Sequence, residues 1–282
     1  MKKILIIIGT ILGFVLGLMI FGYMAEPAGK ATAADMVQPP SISAKQAILI
    51  DSKSGEVLFE KNADEKGYPA STTKIMTALV TLDICEEIGA PVDTLVKIPA
   101  EAVGVEGSSL YLKKGEERTL ENLLYGVMLR SGNDGATALA SIMGGNVEHF
   151  VDLMNEKARK LGCTGTNFVN PSGLYDENHY TTARDLSKIA RCAMENKTFR
   201  QVAGAKSWEE YQNKNKTVFQ YDGATGIKIG FTKMSGRTLV ASSKRQGTEL
   251  ICVVLSDGNW FNDAYALMDY GYEVRGIDDG KK

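Results

Sequence analysis

Apolar positions along the chain follow two rhythms, and the change from one to the other divides it into parts. Ala47-Ile48-Leu49-Ile50-Asp51 and Glu56-Val57-Leu58-Phe59-Glu60 are short β-rich runs joined by Ser52-Lys53-Ser54-Gly55, which predicts a hairpin. From Tyr68 onward the spacing turns helical. Pro69 stands where a helix can begin, and Ile75, Met76, Ala78, Leu79 and Val80 make an apolar stripe that runs to about Glu87, where Gly89-Ala90-Pro91 stops it. Residues 92–120 read as short strands and turns. Further helices are predicted over Thr119–Leu129, from Ala136 to about Met143, over Val147–Leu161 and from Thr182 to about Glu195. The rhythm then returns to strands at Thr225–Phe231, Arg237–Ser243 and Leu250–Ser256, separated by Gly-bearing turns, before a closing helix at Ala264–Tyr270. A hairpin first, helices in the middle, and three strands with a helix last is an α+β pattern. Its two ends are expected to complete one antiparallel sheet flanked by helices, with the middle forming a mostly helical lobe.

One segment obeys neither rhythm. Lys2-Lys3 precede an unbroken apolar run from Ile4 to about Ala25, followed by a small, Ala-rich stretch in which Ala31-Thr32-Ala33 resembles a cleavage site. Residues 1–33 therefore read as an export signal, or as an N-terminal membrane anchor if retained. Residues 34–43, with Pro39-Pro40, read as a linker, and 44–276 as one domain; no β-rich domain is expected after it. The working place is outside the cytoplasmic membrane, at its outer face or in the cell wall.

Composition narrows the chemistry. The chain has 282 residues, 44% of them hydrophobic, and a net charge of −2 with acids and bases interleaved; this excludes a nucleic-acid partner as the default. His149 and His179 have no company at metal-ligand spacing, so neither a metal nor another cofactor is expected. Cys85, Cys163, Cys192 and Cys252 are far apart in apolar surroundings and read as free thiols. His179 reads as a structural hydrogen-bonding group.

The chemistry-bearing stretch is Ser71-Thr72-Thr73-Lys74. On a helix, residues i and i+3 are neighbours, which brings the Ser71 hydroxyl beside the Lys74 amine. Lysine can take a serine proton only when neutral, and this needs burial or nearby positive charge. Alone, the pattern fits a capping serine and a surface lysine. Two later stretches change that. Ser131-Gly132-Asn133 sits in a Gly-bearing break between helices, where Ser131 could relay protons and Asn133 could bind a substrate amide. Lys228-Ile229-Gly230-Phe231-Thr232 sits on a strand. There Gly230 admits close backbone approach, and Lys228 adds a charge that attracts a carboxylate and favours neutral Lys74.

Taken in order, Ser-x-x-Lys, Ser-Gly-Asn and Lys-x-Gly resemble the penicillin-recognising serine enzymes. Glu106-Gly107-Ser108-Ser109, Leu123 to Asp134, Asn170-Pro171-Ser172-Gly173-Leu174, His179 to Leu186 and Ser235 to Val240 are similar to the low-molecular-mass D-alanyl-D-alanine carboxypeptidases. The resemblance implies a β-lactamase/DD-peptidase-like fold, with Ser71 as nucleophile, Lys74 as base and Ser131 as proton shuttle. It also implies an oxyanion hole from the Ser71 and Phe231 N–H groups, peptidoglycan stem peptides ending in D-Ala-D-Ala as substrates, and β-lactams as inhibitors. Members of the family usually carry Lys-Thr-Gly or Lys-Ser-Gly. Ile229 lacks that hydroxyl, so weakened activity is expected, with Thr232 as a nearby substitute and Arg237 as a candidate for the substrate carboxylate. Two alternatives stand: a catalytically impaired peptidoglycan-binding or sporulation-linked homologue, and a β-lactamase. The latter needs a further glutamate to activate the deacylating water, and no Glu-x-x-x-Asn pattern is expected for it between 133 and 228.

Overall fold

A computed structural model describes residues 37–277; the export segment expected over 1–33 lies outside them. Five strands form one antiparallel sheet: β1 (Gln46–Asp51), β2 (Val57–Lys61), β7 (Ala224–Thr232), β8 (Gly236–Arg245) and β9 (Thr248–Leu255), in the order β2-β1-β9-β8-β7. The N-terminal hairpin and the three C-terminal strands thus complete one sheet, through β1 and β9 paired from Gln46↔Leu255 to Asp51↔Leu250.

Both faces of this sheet are covered. Side chains alternate across a strand, so Ile48, Ile50, Val240, Ile251 and Val253 face the helical lobe. Ala47, Leu49, Leu239, Ala241, Cys252 and Val254 face the closing helix α8 (Trp260–Val274). This is why the central strands read as continuous apolar runs rather than as polar–apolar alternation.

The lobe is built around α1 (Lys74–Glu87), which follows a short 3₁₀ turn at Ala70–Thr73 and is buried along most of its length. Around it lie α2 (Leu120–Tyr125), α3 (Asn133–Gly144), α4 (Val147–Lys160), α5 (Ala183–Glu195) and α6 (Lys197–Gly204). Side-chain caps explain several starts: Thr119 Oγ1 accepts from Asn122 N, Asn146 Oδ1 from His149 N and Thr182 Oγ1 from Asp185 N. Minor pieces are β3 (Leu95–Lys97) with β4 (Glu117–Thr119), β5 (Ser207–Trp208) with β6 (Tyr211–Gln212), and α7 (Thr217–Gln220).

The expected helix over 119–129 is not uniform. After α2 the backbone widens into a π-helical turn, Gly126–Arg130, that ends on Ser131 in a left-handed conformation (φ 67°). α3 starts at Asn133 rather than Ala136, and α8 at Trp260 rather than Ala264. Residues 197–220 carry α6, α7 and a small hairpin that the sequence pattern did not announce. All four cysteines are free, with Cys85, Cys163 and Cys252 buried. Among the described residues no helix is long and apolar enough to cross a membrane.

Candidate active site

Lys74 begins α1 with no exposed surface. Its Nζ lies 3.0 Å from Ser71 Oγ, 2.7 Å from Asn133 Oδ1 and 2.5 Å from the Ser172 carbonyl. The Asn133 amide is oriented by its other end, because Nδ2 donates to Glu106 O at 2.6 Å. Asn133 Oδ1 and Ser172 O can only accept. A neutral amine has two protons and one lone pair. With both protons committed to those acceptors, the lone pair is left for the Ser71 hydroxyl.

Burial favours that neutral form. It holds the Lys74 amine well below the usual lysine range, and the charges of Lys228 and Lys214 push it further down, opposed by Asp134. Lys228, on β7, is 1% exposed, and its Nζ donates to Ile229 O at 3.1 Å. Burial, helped by Lys214, brings its own pKa down to about 7. A second buried lysine therefore stands near the Ser71–Lys74 pair, and its protonated form opposes protonation of Lys74.

The close approach of β7 depends on Gly230. A Cβ there would lie 2.8 Å from Ser71 N, 3.0 Å from Pro69 O and 2.5 Å from Thr238 Oγ1. Thr238 Oγ1 itself donates to Pro69 O at 3.0 Å, tying β8 to the turn that carries Ser71.

A second wall is the 170–174 loop, whose part in the site was not legible in advance. Asn170 Oδ1 accepts from Ser172 N and Gly173 N while Nδ2 donates to Leu174 O, and Thr77 Oγ1 donates to Pro171 O at 2.6 Å. Gly173 (φ +82°) passes so close to the Ser71 turn that a Cβ would sit 1.8 Å from Ala70 O. Behind the turn, His179 is 2% exposed. Its Nδ1 accepts from Val169 N, which fixes the tautomer, so Nε2 donates to Thr73 Oγ1 at 2.8 Å. Burial lowers its pKa to about 4. Its role is structural, as the sequence implied.

The remaining expected residues are placed less simply. Ser131 is buried beside Gly132 and Asn133, in its strained αL position, yet no hydrogen bond joins its hydroxyl to Ser71 or Lys74 among the described residues. Asn133, expected to bind a substrate amide, already spends its amide on Lys74 and Glu106. Thr232 is occupied as well: Oγ1 accepts from Ser235 N at 3.0 Å and contacts Ser235 Oγ at 2.9 Å, closing the β7–β8 turn. Its hydroxyl thus serves the β7–β8 turn in this arrangement. Ile229 packs with the cluster on the α8 side of the sheet. Arg237, opposite Phe231 in the β7–β8 register, is exposed, and its guanidinium donates to Gly258 O at 3.4 Å; it is not drawn to Ser71.

One further residue matters. Lys214 N donates to Leu129 O and its Nζ lies 3.5 Å from Ser108 Oγ, which places its charge on the Ser131 side of the cleft. In Asn213-Lys214-Asn215-Lys216 it looks like any polar loop residue. Contrary to the expectation from the sequence, a Glu-x-x-x-Asn spacing does occur, at Glu209 to Asn213. Glu209 Oε2, however, accepts from Asn122 Nδ2 at 3.1 Å, and Asn213 Nδ2 donates to Ala205 O. Neither reaches the Ser71 hydroxyl, so the β-lactamase alternative gains nothing from it.

Residues 33–259 match the family model described as "Peptidase S11: D-alanyl-D-alanine carboxypeptidase". The chain is 35% identical over 222 residues to the D-alanyl-D-alanine carboxypeptidase DacF of Bacillus subtilis, covering 75% of this chain but only 57% of that protein's length. Among solved structures, the Streptomyces K15 DD-transpeptidase aligns with a TM-score of 0.78 at 33% identity, over 84% of this chain and 99% of that one. Penicillin binding protein 6B from Escherichia coli aligns with a TM-score of 0.80 at 28% identity, over 88% of this chain and 81% of that one. The family model spans most of this chain and the described fold matches that of its solved relatives, so the chain belongs to the D-alanyl-D-alanine carboxypeptidase family, Peptidase S11.

Proposed function

We propose that the protein is a serine D,D-carboxypeptidase that removes the terminal D-alanine from peptidoglycan stem peptides outside the cytoplasmic membrane. One observation carries this reading. Lys74 is buried, and its Nζ lies 3.0 Å from Ser71 Oγ with Asn133 Oδ1 and Ser172 O as its other two neighbours, so a neutral amine donates to those two and turns its lone pair to the Ser71 hydroxyl.

The substrate peptide lies along the open edge of β7, with its terminal carboxylate toward Lys228. Ser71 Oγ attacks the carbonyl between the two D-alanines as its proton passes to Lys74. The tetrahedral oxyanion sits between the N–H groups of Ser71 and Phe231. Lys228 Nζ reaches Ile229 O, so that peptide edge faces away from β8. Phe231, two residues on, shares the edge. Stabilisation from such preorganised donors is worth about 3–4 kcal/mol. Lys74 returns the proton through Ser131 to the departing amine, D-alanine leaves, and a seryl ester remains. Water, deprotonated by Lys74, then cleaves the ester and restores Ser71. β-Lactams present the same carbonyl and carboxylate, and they acylate Ser71 without a small leaving group that can diffuse away.

D-Alanine release from diacetyl-Lys-D-Ala-D-Ala, together with labelling by a fluorescent penicillin, tests the proposal. Both are expected in the wild type and absent in Ser71→Ala. Labelling with rapid penicillin turnover would favour a β-lactamase. Neither labelling nor release would favour the impaired homologue that Ile229 motivates.

A further inference from the structure

The loop from Glu106 to Leu112 lies over the first turn of α3. Its carbonyls hold Asn133 twice: Asn133 N donates to Ser108 O at 2.7 Å and Nδ2 to Glu106 O at 2.6 Å. Leu110 fills a hollow floored by glycines. A Cβ at Gly126, Gly132 or Gly135 would lie 2.7 Å or less from a Leu110 side-chain carbon. Gly126 opens the π-helical turn and Gly132 follows Ser131, so the loop rests on the break that presents Ser131.

One carboxylate fastens this loop. Asp134, in the first turn of α3, is 1% exposed. Its oxygens accept from Leu110 N at 2.8 Å, Leu112 N at 3.3 Å and Ser109 Oγ at 2.6 Å, besides Gly135 N of its own turn at 2.9 Å. Between two of these donors Tyr111 stands 82% exposed in a left-handed conformation (φ 60°), its N–H given to Ser109 Oγ at 2.8 Å. A tyrosine keeps that conformation only where its surroundings impose it. An acid in a first helical turn ordinarily answers to the helix dipole. The dipole does not account for three donors from a segment 22–25 residues earlier.

The same carboxylate works against the base. The charged and titratable groups facing Lys74 are Lys228 on β7, Lys214 from the loop before α7, Asp134 on α3 and His179 behind the Ser71 turn. The two lysines favour a neutral Lys74 and Asp134 opposes them. His179, with its pKa lowered to about 4, is uncharged near neutral pH. A site that uses a neutral lysine thus keeps a buried carboxylate that resists neutrality, and the loop explains why.

We infer that Asp134 is a positioning residue of the reaction proposed above: its carboxylate clasps the 106–112 loop, and the loop's carbonyls aim the Asn133 amide that accepts from Lys74. The reaction rests on that proposal; the clasp does not.

The pH profile of acylation by a fluorescent penicillin separates the two effects of Asp134. Asp134→Asn cannot accept at both oxygens, so the loop should loosen and the plateau rate should fall at least about ten-fold. It also removes the charge that resists a neutral Lys74, so the acid limb should move to lower pH by at least about 0.5 unit. Leu110→Ala empties the glycine hollow but keeps the charge. It should lower the plateau and leave the limb in place. An unchanged plateau in Asp134→Asn, or a limb that moves in neither variant or equally in both, overturns the inference. Amide hydrogen exchange over 106–112 gives the second readout. It should be at least about ten-fold faster in Asp134→Asn than in wild type, and equal exchange also overturns the inference. Where Asp134→Asn fails to fold, Ser109→Ala replaces it, removing one donor to Asp134 and the acceptor of Tyr111 N. Slower acylation and faster exchange are then expected with the limb in place, and wild-type behaviour overturns the inference. A wild-type chain that neither acylates nor releases D-alanine, with exchange still slowed by Asp134, would instead refute the catalytic proposal and leave the clasp standing.

Discussion

Gly173→Ala tests how far the Lys74 geometry depends on the loop opposite it. The added methyl would lie 1.8 Å from Ala70 O and 2.3 Å from Ala70 C, which are backbone atoms that no rotamer change can move. The residue also holds φ +82°, a conformation that costs a side-chain-bearing residue about 1 kcal/mol. Relief requires the loop to withdraw from the Ser71 turn by more than an ångström. Two hydrogen bonds go with it: Ser172 O to Lys74 Nζ and Pro171 O to Thr77 Oγ1. With Lys74 neutral, each is worth about 0.5–1.5 kcal/mol. Together with the backbone strain of about 1 kcal/mol the cost is about 2–4 kcal/mol. Lys74 also loses one of the acceptors that hold its lone pair on Ser71. Acylation by a fluorescent penicillin, followed over time, should therefore slow about 100-fold, and the melting temperature should fall. Gly89→Ala is the control. Gly89 has φ +66° and nothing within 4 Å of where the new methyl would sit, so it should show only the strain of about 1 kcal/mol and normal acylation. Wild-type acylation in Gly173→Ala, or equal behaviour of the two variants, would refute the reasoning.

Lys228→Met removes a charge that holds Lys74 neutral, so the acid limb of the acylation–pH profile should move to higher pH; an unmoved limb would count against the electrostatic coupling. Folded Lys228 titrates near 7 and the unfolded residue near 10.4. Between those values the unfolded state binds more protons, so wild-type stability gains with rising pH, and denaturant titrations at pH 6.5 and 9.5 should show a flatter dependence in the variant. His179, near 4 when folded against about 6.5 unfolded, adds stability that is complete above pH 6.5 and lost as pH falls toward 4, by about 3 kcal/mol. His179→Asn should lose that acid-side slope in acid denaturation curves. Ile229→Thr should raise β-lactam acylation about ten-fold if the family hydroxyl matters, while thermal melts register a loss of about 1 kcal/mol from the packing against α8. An unchanged acylation rate would remove the hydroxyl argument.

The order of elements was open to sequence reading because each bears its own period. Apolar runs with Gly-bearing turns announce β1, β2, β7, β8 and β9, and the stripe from Ile75 to Val80 announces α1. Ser71 and Lys74 were legible as a pair since three residues on a helical turn fix their proximity locally. Other features depend on chain segments far apart in sequence. The acceptors that set the direction of the Lys74 lone pair come from Asn133 and Ser172, 59 and 98 residues away. The charge of Lys214 reaches the cleft from a loop with no pattern of its own. Residue type alone also does not show that the polar groups of Thr232 and Asn133 have partners in Ser235, Lys74 and Glu106. The sequence by itself determined the α+β order, the family and the closeness of Ser71 to Lys74. The tertiary structure decided that Lys74 is buried with Asn133 Oδ1 and Ser172 O as fixed acceptors, because burial and hydrogen-bond partners exist only once distant segments have packed.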